Sequence, residues 1–177
     1  MDGPVTLAAG VDVDGWVLER HLHVGGMATL WLARRAGMAE AAVLKFPVLL
    51  DQTDPTAIVS FEVEQMILPR LHGRHVPAFY GAGGFDTTPF IAMEWIAGES
   101  LRARIDHAPL PPAEVADLGA RIATALHALH RQHVIHLDIK PSNILFRADG
   151  TAVLIDFGLA RHDQLPDLLA EEFRLPL

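Results

Sequence analysis

The stretch HLDIKPSNIL, residues 136–145, admits few folds. Pro141 lacks a backbone donor and has a fixed φ, so no regular helix runs through it. Yet ten residues hold one histidine, one aspartate, one lysine and one asparagine. Downstream, Asp149-Gly150 separates ILF from AVLI, a dipeptide and a pair of apolar flanks that together mark a β-hairpin. Such a hairpin sets Asn143 just before its first strand and Asp156 just after its second, with Asp138 on the loop leading in. Two hard oxygen ligands and a third carboxylate suit a magnesium-dependent phosphoryl transfer, because Mg2+ takes one or two protein oxygens and completes its shell with phosphate and water.

The flanking sequence predicts an α+β fold. WVLERHL, TLWLARR and AAVLKF read as three short strands from about Trp16 to Phe46, with a turn at residues 36–38. On the last strand, alternation sets Val43 and Lys45 on one face and Leu44 and Phe46 on the other. Asp54-Pro55 reads as an N-cap followed by proline at the first helical position, and Ile58, Phe61, Leu68 and Leu71 continue at helical spacing. Two more strands, near 78–81 and 89–95, flank the turn GAGGFDTT. From Pro112 to about Arg131, Val115, Leu118, Ile122, Ala125, Leu126 and Leu129 form one apolar stripe, which predicts a helix with a buried face.

Composition narrows the function classes. The chain has 177 residues, half of them apolar, enough for one domain or part of one. Its net charge of −8 argues against a broad nucleic-acid surface, so any phosphate site is expected to be local. It has no cysteine, which excludes disulfides, thiolate metal sites and cysteine nucleophiles. No apolar run is long enough to span a membrane, and MDGPVTLAAG has no basic region followed by an apolar one. The cytoplasm is the expected compartment.

HLDIKPSNIL followed by Asp156-Phe157-Gly158 resembles the catalytic loop and metal-binding triplet of the eukaryotic-type protein kinases, found in bacteria as well as eukaryotes. The resemblance runs from about Trp16 onward, and Lys140 favours the serine/threonine branch. It implies a protein-kinase-like fold with a small antiparallel β lobe carrying one helix and an incomplete, mainly helical second lobe. The implied boundaries are an N-terminal extension at 1–15, an N-lobe at 16–92, a connector at 93–98 and the first part of a C-lobe at 99–177. The implied ligands are ATP and Mg2+, and the implied partner is a protein substrate.

In that family Asp138 would orient the acceptor hydroxyl and take its proton, Lys140 would neutralise charge on the moving phosphoryl, and Asn143 and Asp156 would hold Mg2+. Lys45 would contact the nucleotide phosphates and pair with a helix glutamate. Glu64 lies within the apolar stripe whereas Glu62 is turned away, and a carboxylate facing a core needs a cationic partner, so Glu64 is the expected one. His23-Val24-Gly25-Gly26-Met27-Ala28 stands in register for the phosphate-covering loop, keeping its central glycine, with Leu30 following. Val43 and Leu145 would enclose the base between the lobes, Met93 would be the gatekeeper, and Glu94 and Ile96 would offer backbone groups. His127, His130, His133 and His136 recur every three residues, but only the first two share a regular helix, and His136 is expected to support the segment at Asp156.

Two departures from the family pattern carry further expectations. Leu137 stands where most members have the arginine that receives a phosphate from the activation segment, and residues 157–177 contain no serine, threonine or tyrosine. A segment not switched by modification is expected. The chain also ends at RLPL before the family's A-P-E motif, so a fragment is expected, with the 115–129 stripe and Leu165, Leu168, Leu169 and Phe173 short of covering partners. Two other functions stay open: a nucleotide-binding pseudokinase or scaffold without turnover, and a small-molecule phosphotransferase.

Overall fold

A computed structural model of the chain describes residues 6–48 and 55–172. It divides into two compact units, Met1–Phe61 with Phe79–Trp95, and Glu62–Ala78 with Ile96–Leu177.

The first unit is built on a six-stranded antiparallel sheet of β1 (Asp12–Val13), β2 (Trp16–Val24), β3 (Ala28–Arg35), β4 (Ala42–Pro47), β5 (Phe79–Gly83) and β6 (Phe90–Glu94), in the order β1-β2-β3-β4-β6-β5. β1 is an addition to the expected strands. Asp14 and Gly15 both have positive φ, 52° and 80°, the conformation of a two-residue hairpin turn whose twist suits the flanking strands. The Asp12 carboxylate accepts the Gly15 N–H at 2.9 Å and closes that turn. β5 also runs further than expected, to Gly83, because a register shift between Phe79 and Gly81 keeps the glycine stretch paired with β6. Along β4, Ala42, Leu44 and Phe46 are buried while Val43 and Lys45 are partly buried, the alternation the sequence predicts. The buried face packs with Trp16, Leu18, Trp31, Ala33 and Phe90 into one core. Tyr80 stacks on Trp16 at 6.1 Å, and Arg35 lies over the same indole at 5.3 Å.

Helix α1 spans Thr56–Ile67. It ends earlier than its apolar spacing suggested, because Pro69 cannot continue the ladder and Leu68–Arg70 tighten into a 3-10 turn. Asp54, its expected cap, lies outside the described residues.

In the second unit, α2 (Leu101–Ile105) is capped by Ser100, whose Oγ accepts the Ala103 N–H at 3.1 Å. α3 (Pro112–His130) begins on proline and buries Leu118, Ala125 and Leu129, packing on strands β7 (Val134–Ile135) and β9 (Ala152–Leu154). Val115 at the start of the stripe is 54% exposed. β9 pairs with β8 (Ile144–Phe146), and β7 pairs with β10 (Arg161–His162). The short helix α4 (Leu168–Glu172) follows, its first turn held where the Asp167 carboxylate accepts the Ala170 N–H at 3.0 Å. Leu165, Leu168 and Leu169 are partly buried, and Phe173 lies outside the described residues. Among the described residues no helix is long and apolar enough to cross a membrane.

Candidate active site

The β8–β9 hairpin brings the polar residues of 136–158 together. Its turn closes where the Gly150 N–H reaches the Arg147 carbonyl at 2.8 Å, with Gly150 at φ 81°. The Asp149 carboxylate accepts the Thr151 N–H at 2.9 Å, and the hydrogen bonds from Thr151, backbone and side chain, hold its pKa below the ordinary range. Ile144 lies opposite Leu154, and the Ile155 N–H donates to the Asn143 carbonyl at 3.0 Å. Asn143 and Asp156 therefore sit at adjacent strand ends, as the hairpin argument requires.

Pro141–Asn143 form a 3-10 turn that swings Asn143 back over Asp138. Its Nδ2 donates to the Asp138 backbone carbonyl at 3.0 Å and to Asp138 Oδ2 at 2.9 Å. Lys140 Nζ donates to the same Oδ2 at 2.7 Å. Asn143 is buried, so these bonds fix the rotamer of both side chains. With the amide nitrogen engaged by Asp138, the remaining polar atom of Asn143 is Oδ1, a hard neutral oxygen of the kind Mg2+ accepts. A donor set of one amide oxygen and the Asp156 carboxylate fits that ion, which needs no third protein ligand. Among the described residues no group of three or more histidine, aspartate or glutamate side chains converges as a larger metal site would require.

His136 supports both ends of this arrangement. Its Nε2 bonds the Ile155 carbonyl at 3.0 Å, and its Nδ1 accepts the Asp138 N–H at 3.3 Å. Only the neutral Nε2–H tautomer makes both bonds. Burial lowers the pKa of the ring, outweighing the Ile155 bond and the carboxylates of Asp156, Asp138 and Glu64, which raise it, so the tautomer is favoured. The ring also packs on Phe157, centroids 5.1 Å apart. His127 and His130 stay exposed on α3, and His133 bonds Asp163.

The backbone turns sharply on each side. Leu137 has φ 62° and Asp156 φ 64°, left-handed conformations that a β-carbon disfavours. Glu64 is 1% exposed, whereas Glu62 is exposed, as the helix stripe predicts. The Glu64 carboxylate accepts the Phe157 N–H at 3.3 Å, an anchoring contact that the sequence did not suggest. Leu145 is partly buried in mid-β8, opposite Val153, and Ile96 is buried.

The remaining expected residues belong to the sheet unit. Leu30 pairs with Lys45, Lys45 with Ile91 and Val43 with Met93, so Leu30, Val43, Lys45 and Met93 share one face. Glu94 pairs with Ala42 on the other. The β2–β3 turn closes where the Gly25 N–H donates to the Ala28 carbonyl at 2.9 Å, with Gly26 at its exposed tip and Val24 67% exposed. His23 lies in the β2 ladder opposite Leu30, an extended position that demands no glycine. Gly98 is required where the sequence gives no sign of it: a β-carbon there would overlap the Phe146 carbonyl, beside the Phe146 N–H bond to the Glu99 carbonyl.

Comparison with known proteins identifies the family. Residues 16–170 match the protein kinase domain family. The serine/threonine-protein kinase PknL of Mycobacterium tuberculosis is 31% identical over 147 residues, 82% of this chain and 37% of that protein. PknJ of the same species is 31% identical over 159 residues, 88% of this chain and 27% of the relative. The chain thus spans between about a quarter and a little over a third of the length of these relatives. The crystal structure of the M. tuberculosis PknI kinase domain superposes with a TM-score of 0.71 at 28% identity, over 88% of this chain and 64% of that one. The chain belongs to the protein kinase family, among the bacterial serine/threonine kinases.

Proposed function

We propose that the chain carries the nucleotide-binding and phosphoryl-transfer residues of a serine/threonine protein kinase that uses Mg-ATP. The observation that carries the reading is the Asp138–Asn143–Lys140 network, with Asp156 one residue beyond the Ile155–Asn143 bond. Asp138 orients a serine or threonine hydroxyl of a protein substrate and accepts its proton as the oxygen–phosphorus bond forms and the bond from the γ-phosphorus to ADP breaks. Lys140 already lies against the Asp138 carboxylate, where a cation lowers the energy of negative charge developing on the transferring group. Asn143 Oδ1 and the Asp156 carboxylate would hold Mg2+, which offsets phosphate charge. Lys45 would meet the α- and β-phosphates, with Glu64 as its partner. The sheet face of Leu30, Val43 and Met93, together with Leu145, would meet the base, Glu94 and Ile96 would bond it through backbone groups, and Val24, Gly25 and Gly26 would cover the phosphates.

The test separates binding from transfer. A thermal-shift titration should show stabilisation by ATP that requires Mg2+, weakened by Asp156→Ala and retained by Asp138→Asn. Phosphoryl transfer to a protein acceptor, where measured, should be lost in Asp138→Asn. Nucleotide binding indifferent to Mg2+ and to Asp156→Ala refutes the assignment.

A further inference from the structure

We infer that His133 and Asp163 form a built-in latch that fixes the segment after Asp156 and, through it, the approach to Asp138. The inference rests on the kinase reading for what that segment does. His133 has φ 63°, a conformation natural to glycine and costly for any residue with a β-carbon. A histidine kept at such a position calls for a contact that only its ring supplies. That contact is present: Nδ1–H donates to Asp163 Oδ2 at 2.8 Å. The same two residues are joined a second time, by the Asp163 N–H and the His133 carbonyl at 3.1 Å.

This double contact continues the two-residue ladder in which Arg161 faces Ile135 and His162 faces Val134. Beyond it the segment is ordered by its own groups. His162 Nδ1 accepts the Gln164 N–H at 3.1 Å, its carbonyl accepts the Leu165 N–H at 3.2 Å, and Arg161 pairs with Asp167 at 3.4 Å. On the other side, Ile135 leads directly to His136, whose Nδ1 holds the Asp138 N–H. Residues 157–177 offer no hydroxyl for phosphorylation, and Leu137 offers no cation to receive a phosphate. A carboxylate already in the chain thus supplies the anion, and an imidazole supplies its donor. His133 and Asp163 act as positioning residues, since neither touches the reacting atoms.

Hydrogen exchange on the full chain tests the latch. His133→Gly suits the left-handed backbone and removes only the ring, so loss of folding does not confound it. His133→Gly and Asp163→Ala should each raise amide exchange at Asp163, Gln164, Leu165 and Asp138 by roughly three- to fivefold, the scale of an exposed side-chain hydrogen bond. The double variant should exchange no faster than the worse single one, because both remove one interaction. His133→Asn tolerates the same φ and keeps a donor, so it should recover most of the protection. Unchanged exchange in the single variants, or fully multiplicative effects in the double one, overturns the latch. Failure of the wild-type chain to bind Mg-ATP would instead overturn the kinase reading while leaving the exchange comparison intact.

Discussion

Asn143→Asp is a one-atom test of the site. The substitution preserves shape and replaces the Nδ2 donor with a carboxylate oxygen, against the Asp138 carbonyl at 3.0 Å and the Asp138 carboxylate at 2.9 Å. One lost bond had a charged acceptor, worth about 1.5–3 kcal/mol, and the other a neutral one, worth about 0.5–1.5 kcal/mol. Because Asn143 is buried, water does not replace them. Repulsion between the two carboxylates is partly relieved by Lys140, so the whole cost is set at about 3 kcal/mol. For a chain of this size that lowers Tm by roughly 6–12 °C. Asn143→Ala removes the donors without adding charge and should cost less. The assay is differential scanning fluorimetry without nucleotide, repeated with Mg2+, which should recover more of the loss in the aspartate variant than in the alanine variant. An aspartate variant as stable as wild type without metal refutes the reasoning, because the two Nδ2 bonds to Asp138 would then contribute nothing to stability.

Two other perturbations probe the frame around the site. Gly98→Ala forces a methyl into the Phe146 carbonyl and disturbs the neighbouring bond to Glu99, so Tm should drop by roughly 5–15 °C, from a cost of about 2–4 kcal/mol; a neutral outcome would show that the Gly98 backbone yields freely. His136 titrates below its ordinary 6.5 when folded, because burial disfavours the charged ring. Between that lowered value and 6.5 the unfolded chain binds more protons, so the His136 contribution is full above about pH 6.5 and is lost as pH falls through the folded-state value. Thermal midpoints measured from pH 7 to pH 5 should therefore fall more steeply in wild type than in His136→Gln, and parallel profiles would refute the burial argument.

Much of this was legible in the sequence where the signal was local and periodic. Alternation fixed the faces of β4, the 3.6-residue stripe separated Glu64 from Glu62, and Asp149-Gly150 located the hairpin that joins Asn143 to Asp156. The same dipeptide at Asp14-Gly15 carries no hairpin signal in the sequence because β1 has two residues, too few to alternate. The β7–β10 ladder was invisible for a similar reason: two-residue strands from distant parts of the chain leave no pattern. The backbone requirements at Gly98 and His133, a close approach and a left-handed φ, leave no mark in the sequence because they exist only in three dimensions. Val115 shares the helix stripe yet lies exposed, since periodicity shows which face a residue shares and not whether anything covers it.

The left-handed turns at His133, Leu137 and Asp156 bear on any attempt to evolve a hardier variant. Glycine would relax the backbone at each of them, a gain of about 1 kcal/mol where the side chain contributes nothing to folding. At Leu137, which is 62% exposed, a selection for heat resistance should accept that change freely. At Asp156 the same selection would discard a carboxylate proposed to hold metal, and at His133 it would discard the ring that meets Asp163. A library screened on melting temperature alone would drift away from the proposed metal site at Asp156 while its scores improved, whereas at His133 the lost bond to Asp163 offsets the relaxed backbone.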